Sequence, residues 1–316
     1  MQKDHLVKSI TKDGKFRAYA IDATGVVAEA QQRQDTWSAS SAALGRTLVG
    51  SLLLSASVLK GKETMTVKIN GGGPIGAMIV DADANGNVKG YIQKPHVHLP
   101  LNDHHKIDVG KAVGVNGFMQ VMKSMGGDEP YTSNVPLASG EIGDDFTYYL
   151  AQSEQIPSAV GVSVFVNEDN TIKVAGGYLI QTLPDATDED ISKLEKRLKE
   201  VPMVSELLLS EQTPKDILNL IFGEDNLDYL TDTPVKFTCT CSKKGFAKAL
   251  SKIDPKEIKK IIDEDHKAEL VCHFCGARYN YNEDELKSIL TVSEKRDELE
   301  QAQNHGKDKH DQDNKE

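Results

Sequence analysis

Cysteine is scarce in this chain: there are four in 316 residues, all between Cys239 and Cys275. A disulfide-stapled secreted scaffold is thereby excluded, because it would spread its cysteines through the fold that needs holding. Basic residues are outnumbered, 37 Lys and Arg against 48 Asp and Glu, for a formal net charge of −11. That deficit argues against nucleic acid and anionic lipid as partners, since both are held chiefly by cationic side chains. Long hydrophobic runs are missing too. Met1–Ile10 carries Lys3, Asp4 and Lys8 and lacks the apolar stretch of about 7–15 residues that a secretory signal needs. The most apolar window, Leu48–Leu59, is broken by Gly50, Ser51, Ser55 and Ser57 and falls short of the roughly 20 residues that span a bilayer. A cytoplasmic protein with no membrane partner is expected. Catalytic signatures are also absent: there is no GxSxG, no HExxH and no Walker loop, so no catalytic residues are assigned.

What is present points to an α+β fold of about two domains. The first segment, residues 1–180, reads as a mixed body with antiparallel hairpins. Phe16–Ile21 has strand composition, and Ser41–Leu59 reads as a helix whose small residues imply close packing. Thr64–Ile69, Ile75–Asp81 and Val88–Gln93 read as strands, the last two joined by Asn85-Gly86, both of which tolerate positive φ. A second hairpin is expected from Ala159–Val166 and Thr171–Ile180 around Glu168-Asp169-Asn170. Residues 181–231 read as a charged helical linker, with helix starts at Thr187-Asp-Glu-Asp190 and Thr213-Pro214-Lys-Asp216. Residues 232–290 hold every cysteine, with further helix starts at Asp254-Pro255 and Asn282–Glu285. The tail, 291–316, has no aromatic and few apolar residues and is expected to be disordered.

Three local patterns have bland readings. Gly71-Gly-Gly73-Pro-Ile-Gly76 matches a dinucleotide fingerprint, but its sequel is strand-like and not helical, so a turn between strands is favoured. His96, His98, His104 and His105 fall within ten residues; without a Cys or carboxylate at ligand spacing they read as a solvated loop. Asp144-Asp145 reads as an acidic helix start and not as a catalytic carboxylate pair.

The cysteines carry the strongest signal. Cys239-Thr240-Cys241 and, 30 residues later, Cys272-His-Phe-Cys275 form two close pairs, the arrangement of a tetrahedral zinc site built from four cysteines. His273 could substitute as a ligand, although four thiolates already complete the shell. A 59-residue module is marginal for an unaided core, so the metal is expected to contribute directly to its folding. A disulfide within Cys-x-Cys closes a very small ring and suits a labile bond better than a permanent staple. The spacing therefore permits a redox switch without requiring one. The module's 11 basic and 10 acidic residues give a zinc-ribbon nucleic-acid binder little support. An enzyme with an unrecognised site in the first segment and a thiol–disulfide oxidoreductase are the other readings; the latter lacks an N-terminal strand-then-helix setting for its CxxC.

Over about residues 3–290 the chain resembles the redox-regulated bacterial heat-shock chaperones of the 33-kilodalton class. The likeness rests on CxC and CxxC, on Ser41-Ala-Ala-Leu-Gly-Arg46, Val67-Lys-Ile-Asn-Gly-Gly-Gly-Pro-Ile-Gly76 and Gly140-Glu-Ile-Gly-Asp-Asp-Phe-Thr-Tyr-Tyr-Leu150, and on Ala175-Gly-Gly-Tyr178 and Val271-Cys-His-Phe-Cys275. It implies a non-enzymatic, ATP-independent holdase, inactive while reduced and zinc-bound. Cys239, Cys241, Cys272 and Cys275 would hold one Zn2+ per chain. Oxidation would form Cys239–Cys241 and Cys272–Cys275 disulfides, release the zinc and destabilise the linker. The activated protein, a homodimer, would then capture unfolding clients under heat and oxidative stress.

Overall fold

The computed structural model describes residues 4–127 and 129–313, with side chains as far as Glu298. Its internal contacts divide the chain into two compact units, Met1–Cys239 and Thr240–Glu316. In the first, β1 (His5–Thr11) and β2 (Phe16–Asp22) pair antiparallel. Helix α1 (Thr24–Gln34) begins where Asp4 accepts hydrogen bonds from the Gly25 and Val26 amides, an acid at the positive end of a helix. Helix α2 (Ser38–Val58) follows, with 16 of its 21 residues buried. Among the described residues α2 alone is long and apolar enough to cross a membrane by length and composition, which the interrupted Leu48–Leu59 window does not suggest. Within the first unit it serves as core, 78% of its apolar window being buried.

The small residues of α2 let its neighbours come close. A Cβ on Gly50 would stand 2.3 Å from Cε2 of Phe146, a ring that is itself buried. Gly50→Ala therefore overpacks a site that cannot yield, costing about 3 kcal/mol against the roughly 1 kcal/mol that Ala gains over Gly in a helix. The expected net loss of about 2 kcal/mol is read as a lower calorimetric midpoint for the first unit. An unchanged midpoint would contradict this account of the helix.

Strands β3 (Thr64–Asn70), β4 (Met78–Asp83) and β5 (Asn87–Ile92) follow α2. The β4–β5 connection sits where Asn85-Gly86 places it, but only Gly86 takes positive φ, 82°, so one left-handed residue is enough to close the turn. After α3 (Val109–Val113) come β6 (Phe118–Ser124), β7 (Tyr131–Pro136) and α4 (Gly143–Gln152). The expected second hairpin is β8 (Ser158–Val166) with β9 (Ile172–Thr182), and Asn170 is left-handed at φ 66° in its turn.

The linker helices are α5 (Asp188–Glu200), α6 (Val204–Leu209) and α7 (Pro214–Phe222). Reciprocal caps start two of them: Thr187 Oγ1 accepts from the Asp190 amide while Asp190 accepts from the Thr187 amide, and Thr213 with Asp216 repeats this. Lys15, then Thr187, hold the Asp190 carboxyl well below the usual carboxylate range. Strands β10 (Leu227–Pro234) and β11 (Lys236–Phe237) complete the unit. One sheet runs β10-β1-β2-β9-β8 and the other β11-β5-β4-β3-β6-β7; every neighbouring pair is antiparallel except β5 with β11. Helix α2 packs on β8 and β9 of the first sheet and on β4 and β5 of the second.

The structure adds two particulars to the linker reading. The expected charged helical linker packs on the first sheet: Val204 and Leu208 of α6, with Ile217, Leu218 and Ile221 of α7, bury against Val7, Phe16, Ala18, Ala20 and Ile180. The cysteine-bearing unit begins at Thr240 and not at 232, because β10 pairs with β1 from Leu227 to Pro234 and β11 with β5.

The second unit holds α8 (Lys243–Leu250), α9 (Pro255–Asp265), the antiparallel pair β12 (Lys267–Val271) and β13 (Arg278–Asn282), and α10 (Glu283–Asp313). Its small core is Leu250, Ile258, Ile262, Tyr281, Leu286 and Ile289. The expected disordered tail is instead helical through Asp313. Buried Ser293 donates to the Ile253 carbonyl and Arg296 to that of Ser251, so polar anchoring fixes the start of a segment that hydropathy marks as solvated.

Candidate metal centre

Each cysteine pair is set by its local backbone. Beside Cys239, the Thr238 amide donates to the Val88 carbonyl and Thr238 Oγ1 to Asn87, which fixes the chain just after β11. Past Cys241, Ser242 caps α8 by accepting from the Gly245 amide. The second pair lies in a tight turn between β12 and β13. There the Cys272 amide donates to the Ala277 carbonyl, and Gly276, at φ 72°, donates back to the carbonyl of Cys272. The turn points both thiols the same way, and Cys272 is 4% exposed.

The four Sγ atoms lie within 4.8 Å of one another. Cys241 and Cys275 approach to 3.3 Å, and none of the four cysteines is in a disulfide. Four sulfurs 2.3 Å from one ion at the corners of a tetrahedron stand about 3.8 Å apart, so the cluster needs little rearrangement to close on a metal. Soft thiolates in this number fit a thiophilic ion and not a hard cation such as Mg2+ or Ca2+. His273 lies outside the ligand set.

A neighbour that sequence reasoning missed is Tyr279, whose hydroxyl is 3.2 Å from Cys241 Sγ. Its ring stands 5.1 Å from that of Phe246. The hydrogen bond with Cys241, ahead of desolvation, pushes the Tyr279 phenol up to about 12. The sequence signal was there: a strand opening three residues after CxxC sends alternate side chains back toward the sulfurs.

The other singled-out patterns fall elsewhere. Gly71–Gly76 links β3 to β4, and no helix opens from it. A Cβ on Gly71 would lie 2.1 Å from the Gly114 carbonyl oxygen and one on Gly73 2.3 Å from that of Ala112, so the glycines serve backbone packing. His96 stacks on Trp37 and approaches Asp35, while His98 meets Ser38, in an exposed loop. Asp145 accepts hydrogen bonds from the amides of Ala138, Ser139, Gly140 and Ile142, which makes it the organiser of the turn before α4.

The cysteine geometry and the whole-chain likeness agree. The family model described as Hsp33 protein matches residues 4–282. The chain belongs to the Hsp33 family. Among curated Hsp33 relatives, the 33 kDa chaperonin of Levilactobacillus brevis is 62% identical over 291 residues, covering 92% of this chain and 99% of its own. That of Lactiplantibacillus plantarum is 61% identical over 290 residues, covering 92% and 98%. The crystal structure of the 33 kDa chaperonin from Thermotoga maritima superposes with a TM-score of 0.85 at 35% identity, covering 92% of this chain and 98% of that one. These relatives place the chain in a bacterial chaperone family, with an α+β fold and a C-terminal cysteine cluster capable of holding a metal.

Proposed function

We propose that this chain is a redox-switched, ATP-independent holdase of the bacterial cytoplasm. In the resting state Cys239, Cys241, Cys272 and Cys275 ligate one Zn2+. When bound, the ion would keep four thiols as thiolates and tie the Cys239–Cys241 pair to the turn at Cys272–Cys275. The convergence of four sulfurs within 4.8 Å is the observation that carries this reading, since four unrelated thiols have no reason to meet.

Oxidation proceeds by two-electron steps. Cys239 with Cys241, and Cys272 with Cys275, each give up two electrons to a peroxide, whose oxygens leave as water after taking two protons. No sulfur pair then remains able to ligate, and the second unit loses its cross-link. The Cys241–Cys275 approach of 3.3 Å means that proximity in the reduced state does not select those pairings, so peptide mapping of the oxidised protein belongs in the test.

What oxidation uncovers is the apolar stripe of α6 and α7, with Val204, Leu208, Ile217, Leu218 and Ile221 now buried on the first sheet. Helix α5 buries none of its residues fully and adds only the partly buried Leu194 and Leu198 and the Lys15–Asp190 ion pair, so the linker is held mainly by two short helices and is suited to an order–disorder transition. Unfolding client proteins would be bound by the exposed apolar surface, with the activated chaperone a homodimer. Holding such a client needs no bond-making step.

The test follows zinc release with a chromophoric chelator and light scattering of a heat-unfolding client, with and without peroxide at mild heat. About one zinc per chain is expected to leave, and scattering is expected to fall only in the oxidised sample. Zinc loss with unchanged client aggregation would reduce the cluster to a structural role.

A further inference from the structure

Tyr279 meets the cysteine cluster in a way that neither ligation nor disulfide formation requires. It lies on β13, which pairs with β12 across the Cys272–Cys275 turn. Tyr279 and Tyr281 are two apart on this strand and so stand on one face. Both hydroxyls reach the short segment that leaves the first cysteine pair. That of Tyr279 is 3.2 Å from Cys241 Sγ, and that of Tyr281 donates to the Lys243 carbonyl at 2.6 Å. Lys243 in turn places Nζ 5.1 Å from the centroid of the Tyr281 ring and pairs with Glu285. Between the two contacts Ser242 caps α8. The segment Cys241–Lys243 is thus held at both ends, with the Cys241 sulfur against the phenol.

The direction of that hydrogen bond depends on the state of the sulfur. With a thiol, either atom can donate. A metal-bound thiolate has lone pairs and no proton, so there the phenol is the donor. A half-buried tyrosine could otherwise turn its hydroxyl to water. Here the ring is fixed against Phe246 of α8, centroids 5.1 Å apart, and the buried Tyr281 anchors the strand two residues on. The donor is therefore preorganised toward Cys241. A hydrogen bond to a thiolate is charge-assisted, and it draws on the same lone pairs that attack an oxidant.

We infer that Tyr279 is a positioning residue for the redox reaction: its hydroxyl donates to the Cys241 thiolate, holds that sulfur in the ligand set and slows its oxidation. The inference rests on the four-cysteine metal reading. The step that Tyr279 slows is attack of the Cys241 sulfur on a peroxide oxygen. The O–O bond breaks, the sulfur is oxidised to a sulfenic acid, and the other oxygen leaves as hydroxide and takes a proton to become water. A second cysteine thiolate then displaces the sulfenic oxygen, which leaves in the same way. With the phenol on Cys241 its lone pairs are less available for the first step, so the cluster opens at a higher peroxide concentration than a bare sulfur would allow.

The test compares the full-length wild type, Tyr279→Phe and Tyr281→Phe, each reduced and loaded with Zn2+ or with Co2+ in its place. Co2+ reports on the sulfurs through thiolate-to-metal charge-transfer absorption. A hydrogen bond stabilises the sulfur lone pairs, so losing one moves that band to longer wavelength. Tyr279→Phe keeps the ring against Phe246 and is expected to show the shift. It is also expected to bind Zn2+ about tenfold more weakly in chelator competition and to release it several-fold faster under peroxide. Tyr281→Phe removes a hydroxyl from the same face that donates to a carbonyl, and is expected to leave the band in place. The Co2+ ligand-field bands of Tyr279→Phe show whether the tetrahedron persists, which keeps that variant informative where Tyr281→Phe does not fold. Weaker zinc binding with an unmoved charge-transfer band would make Tyr279 merely structural and overturn the proposal. An equal shift in Tyr281→Phe, or zinc release under peroxide no faster than in the wild type, would also overturn it. A wild type without any thiolate–Co2+ band refutes the metal reading itself, whereas the expected shifts in a chain that fails to protect clients refute the holdase reading alone.

Discussion

A chain ending at Thr238 is expected to suppress client aggregation with no oxidant present, at the level of the oxidised full-length protein. The end point follows from the strand pairing. A cut at 231, where composition alone draws the boundary, would strip Asp232, Thr233 and Pro234 from their partners Val7, Leu6 and His5. It would also remove Val235, whose amide donates to the Asp4 carbonyl, and Phe237 of the strand that extends the second sheet, both residues largely buried. The resulting exposed sheet edge would be aggregation-prone in its own right and would confuse the readout. Ending at Thr238 keeps both sheets whole and removes Cys239 with the entire second unit. Light scattering of a heat-unfolding client gives the activity, and circular dichroism confirms the fold. A folded, inert truncation would show that residues 239–316 do not restrain the linker.

How the chain divides is the part the sequence conceals best. The cysteine cluster is legible because its chemistry is local: two short spacings name four candidate ligands, and tertiary structure only has to bring the pairs together. The starts of α5, α7, α9 and α10 are legible for the same reason, since Thr187 with Asp190, Thr213 with Asp216, Asp254 with the Lys256 amide, and Asn282 with Glu285 act within one helical turn. Strand β10 is not. Its sequence Leu-Asp-Tyr-Leu-Thr-Asp-Thr-Pro is mostly exposed at a sheet edge, so it looks like charged linker, and its partner β1 lies more than two hundred residues away in sequence. The packing of α6 and α7 is hidden similarly, because short apolar helices do not announce which surface receives them.

Removing the metal, by chelation or by Cys272→Ser, is expected to unfold the second unit while the first remains folded. Six residues form its buried apolar cluster, with partly buried neighbours around them, whereas the first unit has two sheets closed on a largely buried 21-residue helix. A unit of that size buries too little apolar surface to offset its chain entropy comfortably. Metal–thiolate binding of the kind measured in zinc-finger peptides supplies about 10 kcal/mol or more. Cys272 is the informative position, because it is the buried member of the set and its carbonyl also accepts the Gly276 amide that closes the turn. A serine there preserves the turn and removes one thiolate, so a lost transition reports on the metal and not on the backbone. The measurement is differential scanning calorimetry of the zinc-loaded, chelated and Cys272→Ser proteins, with metal content determined in parallel. The zinc-loaded protein should show a transition for the second unit that the other two lack, with the first-unit transition present in all three. A Cys272→Ser protein that kept both a full complement of zinc and that transition would remove Cys272 from the ligand set. On the proposed reading, the metal's contribution to folding and its role as a switch would be one property: a unit that stands only while four thiolates share an ion would be dismantled by any oxidant that takes those thiolates away.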